Sequence, residues 1–434
     1  MKASSHIVFL FVLLFGSVAA QEKLTLEQAM DVVLKNNYDI SIAKNEAEIA
    51  ANNNTLGNAG MLPKVDLQAA TSLANNATKQ EFSNGLVVDK TGVQSKNINS
   101  GVYLTWTLFD GMKMFATHKR LEELESMGEM SMKIQIENSV SDVITAYYNI
   151  VQQKQLIAGL SENIKISEER LKIAEKRMEI GSGSKLDVLQ AKVDENAQTS
   201  NLYRQKTQLN EYKMQLNALM ARTADAEFDV VDDIPPAAEV KYEELKTEIV
   251  KNNKDLLLAQ KNVNVAGELL KESRSALYPK LNFNANYLFS RAENQAGFTL
   301  LNQNLGLNFG LTASWTIFSG MNNHNQVKNA KLQALEAELG VKSVELEVQH
   351  LLLSAYKKYV DDSQVLKLEE ENVKLAKEAV DIALERFRVG SSNSIELKEV
   401  QKSYDDAMSR LAEARFNTKV SETRLLKLNG KLLK

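Results

Sequence analysis

The sequence predicts an α+β membrane protein: a β-barrel to which one chain gives four strands, continued by a long tunnel of coiled α-helices. Three observations predict it. The whole chain is internally duplicated, two stretches of more than 150 residues contain no proline, and four short segments alternate apolar with small polar residues. A period of two marks strands and a sustained absence of the strongest helix breaker marks long helices.

The start of the chain reads as a signal peptide over residues 1–20. Lys2 precedes an apolar run from Ile7 to Phe15, and Val18-Ala19-Ala20 places small residues before Gln21. The net charge of −4 becomes −4 − 1 = −5 without Lys2, a mild acidity that favours no nucleic-acid partner. There is no cysteine, which excludes disulfides, thiolate metal sites and a lipid anchor on the first mature residue. After residue 20 no run of 18 apolar residues occurs, so any passage through a membrane has to be a closed barrel.

The duplication is read from matched segments. Lys35-Asn36-Asn37 and Leu62-Pro63-Lys64 recur as Lys251-Asn252-Asn253 and Tyr278-Pro279-Lys280, at an offset of 216. Trp106-Thr107-Leu108-Phe109-Asp110-Gly111-Met112 recurs as Trp315-Thr316-Ile317-Phe318-Ser319-Gly320-Met321, at 209. Seven extra residues therefore lie in the first copy between Pro63 and Trp106. The first repeat covers 21–231, the second 241–434, and Asp232-Asp233-Ile234-Pro235-Pro236 opens a linker over 232–240. So long a period is a duplicated half, not a solenoid unit.

Each repeat has the same parts in order. A helical segment is predicted over 25–60 and again over 242–276, both rich in Ala, Glu, Lys and Leu. Strand pairs follow at 64–74 with 97–109, and at 280–290 with 304–318. Long helices run over 112–180 and 321–389, and returning helices over 185–220 and 394–429.

Between Asn304 and Phe318 the alternation is strict: Leu305, Leu307, Phe309, Leu311, Ala313, Trp315 and Ile317 on one face, Asn, Gly, Ser and Thr on the other. One such strand would also suit a hairpin on a soluble core. Four of them, behind a signal peptide and flanked by long helices, favour apolar side chains toward lipid and small polar ones toward a wet lumen. The polar loops 74–97 and 290–303 would face outward. Trp106 and Trp315 stand at equivalent strand ends, suited to a membrane-interface belt or to ordinary burial. Four strands cannot close; two chains give eight, an interior that side chains fill, and three give twelve around a threefold axis. Trimeric closure is the expectation.

In the long helices Ile136, Val143, Ile150, Ile157, Ile164, Leu171 and Met178 lie seven apart, as do Leu352, Tyr359, Leu366, Val373, Val380 and Phe387. Sustained heptads indicate coiled-coil packing. At ~1.5 Å per residue, 112–180 would span ~104 Å, while 38–60 and 185–220 end to end would reach ~89 Å. Each half would thus supply one continuous stave and one two-piece stave. Asp110 and Ser319, before Gly111 and Gly320, suit helix N-caps.

No catalytic constellation is present. His118, His324 and His350 are not at equivalent positions and lack ligand spacing, and no phosphate-binding glycine loop follows a strand. No cofactor is implied.

Over nearly its whole mature length the chain resembles the TolC-like outer-membrane efflux protein family. The resemblance rests on Leu24-Thr25-Leu26-Glu27-Gln28-Ala29 ahead of Asn36-Asn37, the two proline-to-strand junctions, the paired Trp-Thr-x-Phe-x-Gly turns and the two Arg-x-x-x-Gly turns. It implies a homotrimer with a twelve-stranded barrel in outer-membrane lipid and a periplasmic tunnel. The trimer would dock to a periplasmic adaptor (membrane-fusion) protein and an inner-membrane pump of RND or ABC type.

By the same resemblance the periplasmic tips are Ile180-Gly181-Ser182-Gly183-Ser184 and Val389-Gly390-Ser391-Ser392-Asn393, the adaptor-docking turns. Ser182 and Ser391 stand where the family carries an aliphatic residue. Its pore constriction, a ring of carboxylates just past the second tip, falls on Glu396 and Glu399, three apart on one helix face, with Asp187 in the first half. Helix capping by Ser184 with Asp187, and by Asn393 with Glu396, is the competing explanation. The implied role is a passive exit duct of a tripartite efflux pump or type I secretion system. A structural or adhesive periplasmic coiled-coil protein, using the same heptads for rigidity, is the alternative.

Overall fold

A computed structural model of the chain describes residues 23–235, 240–296 and 299–433. The expected signal peptide and residues 236–239 of the linker lie outside them. The chain runs β1 (Lys23–Leu24), α1 (Leu26–Asn36), α2 (Tyr38–Asn53), β2 (Lys64–Glu81), β3 (Val87–Phe109), α3 (Lys113–Glu179) and α4 (Lys185–Leu219). It continues β4 (Asp229–Val230), α5 (Tyr242–Asn252), α6 (Lys254–Ser275), β5 (Lys280–Asn294), β6 (Leu301–Ser314), α7 (Asn322–Arg388) and α8 (Ser394–Leu428).

The helical segments expected over 25–60 and 242–276 are each broken in two. Asn37 and Asn253 hold extended backbone, ψ 131° and 119°, and each ends one helix and caps the next. Asn37 Oδ1 accepts from the Ile40 N–H while its Nδ2 donates to the Leu219 carbonyl at 2.8 Å. Asn253 repeats this with Leu256 and the Leu428 carbonyl, 3.0 Å. An amide that serves both a cap and a carbonyl orphaned at a helix end favours the break over continuous helix. The same bonds set the end of α4 against the start of α2, and the end of α8 against the start of α6.

α2 also stops short, at Asn53, where Asn52-Asn53-Asn54-Thr55 offers poor helix formers and Thr55 Oγ1 takes the Asn58 N–H. α6, with Glu268-Leu269-Leu270-Lys271 at the same place, continues to Ser275. The two-piece stave α2 plus α4 is therefore ~77 Å against ~100 Å for α3, and the residual length is turn.

The strands run further outward than the alternation indicated. β2 and β3 close on a hairpin at 82–86, so most of the expected loop 74–97 is paired strand; β5 and β6 likewise extend to Asn294 and from Leu301. These extensions are largely polar, with Val87, Val88, Val93 and Leu301 in no alternating order, and ladder hydrogen bonds form there without an apolar pattern to announce them. β6 conversely ends at Ser314, not 318. Its counterpart Trp106–Phe109 is strand because it pairs with Leu281–Phe283 of β5; Trp315–Phe318 has no such partner among the described residues.

One sheet has the order β2-β3-β5-β6, antiparallel throughout, and a two-residue parallel pair joins β1 to β4. The largest apolar cluster lies midway along the bundle, where α1, α3, α4 and β4 meet around Val33, Val143, Tyr147, Ile150, Leu216 and Val230. Tyr147 Oη donates to the Leu24 carbonyl and accepts from Val231 N–H, tying both short strands to α3. A second cluster packs α5 on α7 and α8 through Ile249, Leu352, Tyr359 and Leu425.

Candidate functional site

The sheet presents two chemically distinct faces. Leu67, Val102, Tyr287 and Leu307 form one row across its four strands, and Val65, Leu104, Ala285 and Phe309 the next. Phe309 is 74% exposed and Leu307 64%, far beyond what water tolerates in a contiguous patch. The opposite face carries Asp66, Tyr103, Asn286 and Asn308 in one row, Ala70, Asn99, Ser290 and Asn304 in another. Its amides bond along the wall: Asn308 Nδ2 to Asn286 Oδ1 at 3.1 Å, Asn284 Nδ2 to Thr312 Oγ1 at 3.2 Å.

Trp106 and Trp315 have a definite local task. Trp106 Nε1 donates to the Met61 carbonyl at 2.9 Å and Trp315 Nε1 to the Leu277 carbonyl at 3.1 Å, each two residues before the proline that opens a strand. They pin the passage from helix to strand. Asp110 and Ser319 are not themselves the N-cap residues. Met112 and Met321 are, with φ 71° and 65°, following Gly111 and Gly320, also left-handed. The Asp110 carboxylate reaches past this turn to accept from the Met114 N–H, and Ser319 Oγ from the Asn323 N–H.

Nearer the tips, α3 carries polar groups that hold the two repeats together. Arg170, 1% exposed, donates through Nη2 to Asp194 Oδ2 of α4 at 2.7 Å, and Lys398 of α8 reaches the other Asp194 oxygen at 2.8 Å. One turn away Gln401 Nε2 donates to Ser167 Oγ and to the Asn163 carbonyl, while Ser167 donates to Gln198. Above this, Glu162 accepts from Lys377 at 2.6 Å and from Tyr404 at 3.2 Å. The Lys377 hydrogen bond holds the Glu162 carboxyl below its ordinary range and Glu162 holds the ammonium above its own. Sequence reasoning passed over this network. Its signal is the seven-residue spacing of Asn163, Arg170 and Arg177, one position before the apolar Ile164, Leu171 and Met178.

At the tips Gly181 and Gly390 are left-handed, φ 76° and 82°, closing each long helix. Ser182 and Ser391 turn their hydroxyls back onto the Arg177 and Arg386 carbonyls. Ile180 and Val389, before each glycine, are exposed at 76% and 75%, and Leu186 and Ile395, in the first turns of α4 and α8, are equally bare. The Arg177 guanidinium lies over the Phe387 ring at 5.4 Å and brings the two turns side by side. Gly183, Ser184, Ser392 and Asn393 complete the turns, Ser184 and Asn393 as caps.

The three carboxylates singled out by resemblance differ in how free they are. Asp187 accepts from both the N–H and the hydroxyl of Ser184, as a capping box. Glu396 accepts from Arg386 Nη1 at 2.6 Å and from Ser392 Oγ at 2.7 Å. Glu399 is exposed, and Leu397 between them is buried.

Comparison with known proteins agrees with this architecture. Outer membrane efflux protein BepC of Brucella suis biovar 1 (strain 1330) is 21% identical over 449 residues, covering 99% of this chain and 91% of BepC. Outer membrane protein TolC of Escherichia coli (strain K12) is 20% identical over 370 residues, 81% of this chain and 73% of TolC. The crystal structure of the Campylobacter jejuni CmeC outer membrane channel superposes with a TM-score of 0.76 at 18% identity, over 94% of this chain and 86% of CmeC. The model of the outer membrane efflux protein family matches residues 29–222 and 245–431, one stretch per repeat, and the chain belongs to that family.

Proposed function

We propose that three copies of this chain close into a twelve-stranded barrel in the outer membrane. The trimer is then the passive exit duct of a tripartite efflux pump or type I secretion system. The observation that carries this reading is the sheet: both edges, β2 and β6, are open, and one face is an exposed apolar wall opposite an amide-lined one. Open edges and bare backbone cannot face lipid, so edge β6 of one copy takes edge β2 of the next. From Leu305 to Ala313 the apolar face spans ~27 Å of strand, ~21 Å at a ~40° tilt, comparable with the ~25 Å apolar band of such barrels.

The inner joint between repeats, β3 on β5, supplies the register for the joint between copies. Tyr103 pairs with Asn286; carried across at offsets of 209 and 216, Thr312 would pair with Ala70 of the neighbour. Trp315–Phe318 would then find its missing partner in residues 65–67. The chain has no cysteine, so Thr312→Cys with Ala70→Cys tests this cleanly. Oxidation in detergent is expected to give covalently linked trimers, since residues facing across an antiparallel pair lie within disulfide reach. A monomer soluble in plain buffer, without cross-links, would overturn the duct and favour the periplasmic coiled-coil alternative.

At the far end the aliphatic pairs Ile180 with Leu186 and Val389 with Ile395 form the surface for a periplasmic adaptor. An inner-membrane pump of RND or ABC type supplies the energy. Glu399 and Glu396, repeated by threefold symmetry, place six acids around the narrow end, a barrier to anions and a site for cations. Because Glu396 is already paired with Arg386, Glu399→Ala carries most of the expected effect: higher planar-bilayer conductance and weaker block by divalent cations. Unchanged current in Glu399→Ala and in the double alanine variant would remove the carboxylate ring from the mechanism.

A further inference from the structure

On the apolar face of the sheet, charge is confined to one place. Outward from the row of Leu67, Val102, Tyr287 and Leu307, the next row is Ala69, Ser100, Phe289 and Leu305. Then come Thr71, Ile98, Arg291 and Gln303, and after them Leu73, Lys96, Glu293 and Leu301. Within the four-stranded part of the sheet, Lys96, Arg291 and Glu293 are the charged residues of this face. At the same level the opposite face is uncharged, its row being Ser72, Asn97, Ala292 and Asn302. A sheet end that met only water on both sides would have no reason to sort its charges this way.

The three charges do not cancel one another. Glu293 lies across from Lys96 but is committed to Arg291, accepting from its Nε at 2.8 Å and lying 2.5 Å from its Nη2. Lys96 is exposed and forms no ion pair among the described residues. It stands at a concavity of about 610 Å³ lined also by Leu73, Gln94, Glu293, Leu300 and Leu301. The leucines are bare, Leu73 at 78% and Leu300 at 63%. A free ammonium, an oriented guanidinium, an amide and exposed leucines therefore share one hollow and its inner rim.

We propose that this hollow binds the headgroup of a phosphorylated glycolipid of the outer leaflet, its phosphate on Lys96 and Arg291. The proposal rests on the barrel reading above, which turns the apolar face to lipid. Depth supports it. Past the last apolar row, at Leu305, Arg291 stands ~7 Å and Lys96 ~13 Å further along the strand, ~5 and ~10 Å at a ~40° tilt. The headgroup layer occupies ~5–8 Å beyond the hydrocarbon on each side, so the two cations bracket it. A guanidinium and an ammonium together suit a phosphate, the first as a fork and the second as a point charge. Glu293 serves as the positioning residue that holds the fork, Gln94 offers an amide to sugar hydroxyls, and the leucines meet the start of the acyl chains.

The test uses the full chain purified in detergent, titrated with bis-phosphorylated lipid A, with its dephosphorylated form and with phosphatidylglycerol, bound lipid being counted by native mass spectrometry. The phosphorylated glycolipid is expected to bind at least about tenfold more tightly than the dephosphorylated one, the scale of a charge-assisted contact. Lys96→Ala with Arg291→Gln should remove that preference and leave both the oligomer and the binding of dephosphorylated lipid unchanged. Lys79→Ala, which removes an exposed cation from the hairpin beyond the hollow, should leave the preference intact. Equal binding of the two glycolipids, an undiminished preference in the double variant, or an equal loss in Lys79→Ala overturns the site while the barrel stands. Phosphatidylglycerol bound as tightly as lipid A, or displacement of lipid A by inorganic phosphate, overturns the glycolipid as occupant. A monomer soluble without detergent removes the barrel reading as well.

Discussion

Asp194→Ala is expected to destabilise the tip-proximal bundle by about 3–5 kcal/mol, the cost of leaving a buried charge without its partner. Arg170 is 1% exposed and its guanidinium reaches Asp194 at 2.7 Å; its Nε already lacks a partner, so no second acceptor stands ready. Arg170→Met is expected to lose only a small fraction of that amount. Asp194 keeps Lys398 in that variant, and an unbranched apolar side chain fills the same channel between α3, α4 and α8. The measurement is chemical unfolding of the detergent-purified protein, with limited proteolysis reporting on the tip. Equal losses in the two variants would show that the guanidinium contributes packing alone, not a charge that must be answered.

The second large effect lies at the passage from strand to long helix. If copies join as proposed, Gly111→Val should abolish the oligomer on a native gel in detergent, and Gly111→Ala should sharply reduce its yield. A Cβ at Gly111 would stand 2.6 Å from the Ser275 carbonyl oxygen and 2.8 Å from Tyr278 Cβ, at φ +75°. Strain of about 1–3 kcal/mol adds to overpacking of similar size. Gly320 has the same left-handed backbone, but a Cβ there would meet nothing within 4 Å among the described residues of one chain. If copies join as proposed, the counterparts of Ser275 and Tyr278, namely Ala59 and Leu62 of the neighbour, come to fill that space. Gly320→Val should then fail as Gly111→Val does. An assembled oligomer that accepts valine at 320 but not at 111 would mean the ring is not closed by equivalent contacts.

Much of the architecture was legible because it repeats. Two Trp-Thr-x-Phe-x-Gly segments, two Leu/Tyr-Pro-Lys junctions and sustained heptads each state their geometry twice, and one copy checks the other. The helix breaks at Asn37 and Asn253 leave only the repeated Lys-Asn-Asn as their trace, inside segments whose composition is helical throughout. The reason for the break, a carbonyl at 219 or 428, lies more than 170 residues away. The strand extensions beyond Leu73 and Ile98 were illegible for a different cause: outside an apolar layer nothing forces alternation, and backbone pairing leaves no mark on side-chain choice.

The site divides along the same line. Residue type and period alone determined the long staves, the two-faced strands and the glycine turns, because backbone conformation and burial pattern are local properties. Only the tertiary structure decided which groups answer one another. It commits Glu396 to Arg386 and Asp187 to Ser184, leaves Glu399 exposed, and makes of Arg170, Asp194 and Lys398 a single joint. Electrostatic and packing partners are fixed by distance in space, and the chain brings residues 170, 194 and 398 together only once three helices have been laid side by side.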